Sequence, residues 1–229
     1  GFGTMALGRE NIAEAISARM AVSFRGFDYY VYPVKHPNCY DKLYTKKVRY
    51  HVLSQSMKRG LVKQGISEAT IHVIPPAIDT DFFTREHTHS PKPYLQLLTV
   101  GRLHWIKGLD YILEALGLLH QKGIAFRYMI IGSGPEEERL RFTAHQLGID
   151  HLVTFAGKQS PESIKQHLEQ TDLYVQYSIQ EGFGNAVLEA QAMGVYCIVS
   201  DAEGLRENVE EGVTGSVVEK RNPVALAHK

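Results

Sequence analysis

The sequence has few cysteines, no net charge and no long apolar run, and each of these absences excludes a class of protein. Only two of the 229 residues are cysteines, Cys39 and Cys197, and they lie far apart without a CxxC pattern. This spacing argues against a disulfide scaffold and a zinc site and suits a reducing compartment, so we expect a cytoplasmic protein. The eleven histidines form no HExxH or comparable motif, and we therefore expect no metal site.

The charge balance and the hydropathy exclude two further classes. Lysine plus arginine (25) equals aspartate plus glutamate (25), so no global field favours nucleic acid as a partner. No run of about 18 apolar residues exists that could span a membrane, and no basic segment precedes an apolar signal core.

The first part of the chain nevertheless carries several basic residues. They are Lys35, Lys42, Lys46, Lys47, Arg49, Lys58 and Arg59. These residues form either an ordinary solvated face, which we favour, or a face for peripheral association with anionic lipid at the inner membrane surface.

Short apolar segments alternate with longer amphipathic ones, and this alternation is typical of βα repeats around a parallel sheet. In the first part of the chain the predicted elements are helix 10–20, strand 21–24, strand 50–54, helix 55–65 and a strand and turn at 71–76. The segment from Asp79 to Pro93 lacks periodicity and is predicted to join two domains.

From Tyr94 onwards the alternation is regular and predicts a doubly wound, Rossmann-like domain. The predicted strands are 95–101, 127–132, 152–157, 173–178, 196–200 and 214–218. Ligands of such domains bind beyond the carboxyl ends of the strands.

The fold class is therefore α/β, with three predicted parts. They are the truncated domain 1–83, a linker 84–93 and the Rossmann-like domain 94–229. The sequence opens on Gly1 without an initiator methionine and stops at Lys229 inside an apparent helix, so we expect a fragment whose last helix is cut.

The loop GRLHWIKG carries two cations, Arg102 where a strand ends and Lys107 where a helix starts. A cation at a helix start opposes the helix dipole unless an anion compensates it. The strand end, the helix amides and the two cations together suit a dianion such as a diphosphate. The alternative, that both are solvated surface cations, stays open at this point.

The turn IGSGPEEERL lies between a predicted strand and a predicted helix. It lacks the third glycine of the dinucleotide fingerprint, so it is a weak signal for NAD. A tight turn explains Gly132 and Gly134, and the acidic residues that follow would repel a phosphate.

The segment EGFGNAVLE, from Glu181 to Glu189, is the most specific signal in the chain. Gly182 and Gly184 allow close approach of a ligand to the backbone, and Asn185 is predicted to cap the helix so that its first amides face outward. A carboxylate at Glu189 on a mostly apolar helix needs a partner, for which a ribose diol is suited. The alternatives are that Glu189 pairs with an arginine and that Glu181 is a surface acid.

These motifs together resemble the retaining glycosyltransferases of family 4, which have the GT-B architecture of two Rossmann domains facing across a cleft. The resemblance, closest to the exopolysaccharide and colanic-acid type, runs from about Phe2 to the end. Its motifs are VGRL…KG (100–108), IGSGPEEERL, FAGK (155–158), EGFGNAVLEAQAMG and ENVEEGVTG (207–215).

The resemblance implies a role for each candidate site residue. Arg102 and Lys107 would hold the nucleotide diphosphate and stabilise it as a leaving group, and Glu189 would hold the ribose. Glu181 would hold the donor sugar with the Gly182 turn and the amides of Phe183, Gly184 and Asn185, and Gly157 and Lys158 would lie near the base. Residues 1–83 would be the back part of the acceptor domain.

One position departs from the family pattern. SFRGFDYY (23–30) stands where many members have FHG, so Arg25 replaces a histidine that lies near the reacting carbon. Arg25 either stabilises phosphate charge or pairs with Asp28.

The implied activity is retaining, metal-independent transfer of a hexose from a nucleotide diphosphate donor to a saccharide or lipid-linked acceptor in cell-surface polysaccharide synthesis. No cofactor is expected besides this donor substrate. Two alternatives remain, namely a donor-binding fragment without turnover and a sugar-nucleotide epimerase of the same architecture.

We predict that Arg102→Ala or Lys107→Ala lowers sugar transfer by orders of magnitude, because each variant removes a charge aimed at the departing diphosphate. Turnover measurements with a nucleotide sugar, beside circular dichroism to confirm folding, check this. Near wild-type turnover in both variants would show that the phosphate assignment is wrong.

Overall fold

The chain folds into two compact units, each built on a parallel sheet. A computed structural model describes residues 2–86 and 92–229, and the units are Gly1–Pro76 and Ala77–Lys229. The α/β class and the parallel sheets predicted from the alternation are confirmed. No helix of the described ranges is both long and apolar enough to cross a bilayer.

The first unit has a three-stranded sheet in the order β1-β2-β3. The strands are β1 (Met20–Ser23), β2 (Val48–Val52) and β3 (Ile71–Val73). Its helices are α1 (Gly3–Ala6), α2 (Ile12–Ala15), α3 (Tyr32–Lys35), α4 (Asp41–Tyr44) and α5 (Gln55–Lys63). Phe24, Tyr50, Met57 and Leu61 are buried in its core.

Two predictions for the first unit need correction. The predicted helix 10–20 is reduced to Ile12–Ala15, because Ser17 has a φ of 51° and turns the chain out of the helix before β1 begins at Met20. The predicted strand 50–54 lies at Val48–Val52, because Ser54 caps α5 and its hydroxyl accepts a hydrogen bond from the Met57 amide at 3.2 Å.

The second unit has a six-stranded parallel sheet in the order β6-β5-β4-β7-β8-β9. The strands are β4 (Leu95–Val100), β5 (Phe126–Ile131), β6 (Val153–Phe155), β7 (Leu173–Gln176), β8 (Tyr196–Ser200) and β9 (Gly215–Val218). Its helices are α6 (Leu109–Gln121), α7 (Glu137–Gln146), α8 (Pro161–Glu169), α9 (Asn185–Ala192) and α10 (Pro223–Ala227).

The helices of the second unit contribute to two separate apolar clusters. Leu113, Leu140 and Leu226 bring α6, α7 and α10 to one cluster, whereas Leu168 and Val187 bring α8 and α9 to the other. This arrangement is that of a doubly wound domain with helices on both faces of the sheet.

The chain reverses its direction of winding at β4. This strand pairs with β5 on one side and with β7 on the other, with Leu97 opposite Leu173 and Leu98 opposite Tyr174. Open α/β sheets bind their ligands at such a switch point, beyond the carboxyl ends of the strands. A ligand-binding site is therefore expected at the loops that follow β4 and β7.

The boundary between the units lies before the one predicted after residue 83. Phe83 is buried in the cluster of α8 and α9, the Arg85 guanidinium donates to the Thr171 carbonyl at 3.4 Å, and Glu86 pairs with Lys165. Residues 77–86 thus belong to the second unit. Of the predicted linker 84–93, residues 87–91 lie outside the described residues.

The packing of α6 predicts a large loss of stability when Leu113 is truncated. Leu113 is fully buried, so Leu113→Ala removes a transfer free energy and leaves a cavity, and we expect a loss of about 2–5 kcal/mol. Urea unfolding followed by the fluorescence of Trp105, the single tryptophan of the chain, measures it. Phe142→Ala is the control, because Phe142 is exposed; equal losses in both variants would contradict this packing.

Candidate functional site

The loop after β4 is held against the loop after β7. Gly108 has a φ of 59°, and a Cβ built on it would lie 2.3 Å from the Tyr177 carbonyl oxygen, so only glycine fits there. The Ile179 amide donates to the Ile106 carbonyl at 2.8 Å. These contacts fix the position of Lys107, which lies between Ile106 and Gly108.

Lys107 and Glu181 form an ion pair between the two loops. Their side chains are only 18% and 17% exposed, so the pair is largely removed from solvent. The same oxygen of Glu181 accepts from Gln176 Nε2 at 3.2 Å and from Ser178 Oγ at 3.3 Å. Lys107 is therefore not a solvated surface cation, and Glu181 is not a free surface acid.

Gln176 and Ser178 are site residues that the sequence analysis missed. Both are buried, and the Tyr174 phenol donates to Gln176 Oε1 at 2.8 Å and so orients its amide toward Glu181. The available signal was the sequence LYVQYS, in which polar side chains stand at the end of an otherwise apolar strand. Buried polar groups at such a position need partners.

Arg102 lies on the same loop as Lys107 but differs from it in environment. Its side chain is exposed, and within residues 2–86 and 92–229 it has no hydrogen-bond or ion-pair partner. Of the two predicted cations, one is thus already neutralised by the protein and the other is available to an anion.

The turn before α9 differs in one detail from the prediction. Gly184, with a φ of 96°, is the capping residue, and Asn185 is the exposed first residue of the helix rather than its cap. The reason is steric, because the chain enters α9 through a backbone conformation that glycine adopts most readily. The Asn208 side chain donates to the Phe183 carbonyl and holds this turn, while Gly182 is buried behind it.

Glu189 lies in the second turn of α9 and is half-buried. Its carboxylate has no hydrogen bond or ion pair with the residues that the structure describes, so the alternative of an arginine partner is not observed. Burial raises the pKa of Glu189 above its ordinary value.

Gly157 and Lys158 follow β6, two strands away from β4 in the sheet. The Gly157 carbonyl accepts from the Gly132 amide at 2.8 Å. A Cβ on Gly132 would lie 1.8 Å from the Gly101 carbonyl oxygen, so the glycine turn packs directly behind the Arg102 loop. Lys158 is exposed.

Arg25 belongs to the first unit and does not pair with Asp28 in the described part of the chain. Asp28 is buried and accepts from the amide and the hydroxyl of Thr4, at 3.0 and 2.8 Å. The exposed Arg25 guanidinium lies 5.8 Å from the centre of the Phe2 ring.

Fold and site together define a doubly wound α/β domain with a charged site at the crossover of its sheet. The family model for glycosyl transferases group 1 matches residues 81–229. The chain belongs to this family.

Two curated relatives carry names from exopolysaccharide synthesis. The putative colanic acid biosynthesis glycosyltransferase WcaL of Salmonella typhimurium is 32% identical over 173 residues, which is 73% of this chain and 43% of WcaL. The amylovoran biosynthesis glycosyltransferase AmsK of Erwinia amylovora is 29% identical over 202 residues, which is 84% of this chain and 49% of AmsK. The chain thus spans less than half the length of these relatives.

A solved structure shows the same fold. Anabaena HepE, crystallised with UDP and glucose, aligns with a TM-score of 0.83 and 17% identity over 99% of this chain and 64% of HepE. The predicted GT-B fold and the predicted resemblance to glycosyltransferases of the colanic-acid type are confirmed.

We predict that Glu189→Gln changes the pH dependence of stability. Because the folded-state pKa is raised above 4.5, the folded protein binds this proton more tightly than the unfolded chain. The wild type therefore loses free energy of unfolding as pH rises through the window between the two pKa values, and the variant does not. Urea unfolding from about pH 4 to about pH 7 should show a stability advantage of the variant that grows with pH. If the free energies of unfolding of the wild type and the variant change in parallel with pH, the burial of an unpaired carboxyl is contradicted.

Proposed function

We propose that the chain is part of a glycosyltransferase that moves a hexose from a nucleotide diphosphate donor to a saccharide or lipid-linked acceptor with retention. The second unit would hold the donor. Membership in glycosyl transferases group 1 supports transfer, and the presence of UDP and glucose in HepE supports this class of donor. The names of WcaL and AmsK support a role in exopolysaccharide synthesis.

The environment of Glu189 is the observation that supports the donor site most strongly. A half-buried carboxylate without a protein partner in the described ranges is unfavourable until a ligand supplies donors. A ribose diol offers two hydroxyl donors to one carboxylate. Because Glu189 follows the Gly184 turn on α9, the first amides of the same helix would lie near the phosphates of such a ligand.

Arg102 and Lys107 are the groups we assign to the diphosphate. The exposed Arg102 guanidinium is free to bind phosphate oxygens in a bidentate manner. Lys107 is paired with Glu181 before the donor binds, and a diphosphate, which carries more negative charge than a carboxylate, would compete for its ammonium group.

The release of Glu181 would then serve the transferred sugar. Once Lys107 turns to the diphosphate, the Glu181 carboxylate can accept hydrogen bonds from sugar hydroxyls, while Gln176 and Ser178 keep it in place. The amides around Phe183, and Gly157 with Lys158 beside the base, complete the proposed contacts.

The demanding step is departure of the diphosphate from the anomeric carbon. Preorganised cations and helix amides aimed at the developing charge lower this barrier. We assign this task to Arg102 and Lys107 without a metal ion or a further cofactor. Attack of the acceptor hydroxyl on the same face would give retention.

We propose that the reaction takes place in the cytoplasm, with an acceptor held at the inner membrane surface when it is lipid-linked.

Titration calorimetry with UDP and GDP tests the donor site. We predict that Arg102→Ala, Lys107→Ala and Glu189→Ala each weaken binding of the preferred diphosphate by about tenfold or more, because each removes a charge-assisted hydrogen bond. Lys122→Ala is the matched control, since Lys122 is exposed at the opposite end of α6 from Lys107. Equal affinity in all four variants and the wild type would contradict the site.

A transfer assay with the same preparation separates the remaining alternatives. Transfer to an added acceptor supports the proposed reaction, and binding without transfer supports a donor-binding fragment. Release of free diphosphate with an epimerised sugar in the absence of acceptor would favour the epimerase.

A further inference from the structure

The first unit contains a cavity of about 380 Å³ that the proposed reaction does not use. Its lining residues include the aromatic residues Tyr29 and Tyr44 and the polar residues Asn38, Asp41 and Gln64. We propose that this cavity is a binding site for an uncharged saccharide. The inference does not depend on the donor site, because every lining residue belongs to the first unit.

The aromatic walls of the cavity are fixed by the core of the first unit. The buried Phe24 ring lies 5.9 Å from the ring of Tyr29, 4.9 Å from that of Tyr40 and 6.5 Å from that of Tyr44. The contacts with Tyr29 and Tyr40 are edge-on and the contact with Tyr44 is tilted, and ring contacts of these kinds hold rings in defined orientations. Aromatic surfaces that are rigid before binding lose little entropy when a ligand, such as the apolar face of a sugar ring, packs on them.

The polar side chains of the cavity have no partners in the described part of the protein. No hydrogen bond or ion pair engages the side chains of Asn38, Asp41 and Gln64 or the hydroxyls of Tyr29 and Tyr44. Asn38 and Asp41 are joined by a turn in which the Asp41 amide donates to the Asn38 carbonyl at 3.1 Å, and both residues line the cavity.

These groups match hydroxyls better than any other ligand chemistry. Amide side chains both donate and accept, a carboxylate accepts, and burial raises the pKa of the Tyr44 phenol so that it stays a neutral donor. Small-molecule sites of this size commonly combine aromatic walls with a few such convergent polar groups.

Charge argues against an anionic ligand. Asp41 is the one charged side chain among the described residues that line the cavity, and it would repel a phosphate. The neighbouring cavity, lined by Lys46, Lys47 and Arg49, has the opposite character although it shares Tyr44. An anion would be expected in that basic cavity instead.

The location separates this cavity from the edge where ligands of parallel sheets usually bind. Tyr44 ends α4 and leads into the start of β2, and Gln64 follows α5 on the way to the start of β3. The cavity therefore lies toward the amino ends of the strands, whereas the usual ligand edge is at the carboxyl ends.

Saturation-transfer NMR with methyl α-glucoside, methyl β-galactoside and cellobiose tests the proposal. We expect at least one probe to bind, and the variant Asp41→Ala/Gln64→Ala to weaken its binding by about tenfold or more through loss of two hydrogen-bonding groups. Both residues are exposed, so the double variant should keep the wild-type circular dichroism spectrum. Tyr44→Phe, which removes only a hydroxyl, should give a smaller loss.

Two controls locate the site. Lys47→Ala in the basic cavity and Lys122→Ala in the second unit should leave saccharide binding unchanged. The proposal is overturned if no probe receives saturation or if binding survives in the double variant. Tighter binding of glucose 6-phosphate than of methyl α-glucoside would also overturn it.

Discussion

The ion pair between Lys107 and Glu181 is the interaction on which the site depends. It joins the loops after β4 and β7, the two neighbouring strands between which the sheet reverses its order. Because the pair is largely buried, removing one partner leaves a charge that needs another counter-charge. In the proposed function, a diphosphate would supply that counter-charge to Lys107 and the donor would replace the ion pair.

Glycines allow the loops to approach closely enough for this pair to form. Gly108 lies against the Tyr177 carbonyl, and Gly132 lies against the Gly101 carbonyl, at distances that no side chain could tolerate. These close backbone contacts fix the relative positions of the loops at the carboxyl edge of the sheet. The side chains of Arg102 and Glu189 have no partner in the described ranges, and the proposed function assigns both to the donor.

Most of the fold follows from local patterns in the sequence. Alternating apolar segments gave the strands of the second unit, and the motifs placed Arg102, Lys107 and Glu181 on neighbouring loops. Contacts between residues that lie far apart in the sequence could not be predicted from these local patterns. The roles of Gln176 and Ser178 depend on the position of Glu181 in space, and the unit boundary depends on burial of Phe83. The short helix at Ile12–Ala15 depends on one positive φ at Ser17.

Competition between Glu181 and the diphosphate for Lys107 is central to the proposed donor site. The most direct measurement is the affinity for UDP, which lacks the sugar, in Glu181→Ala compared with the wild type. Removal of the carboxylate frees Lys107 and removes a nearby negative charge, so UDP should bind more tightly in this variant. Weaker binding of UDP, comparable to that in Lys107→Ala, would contradict the claim that the pair opens for the diphosphate.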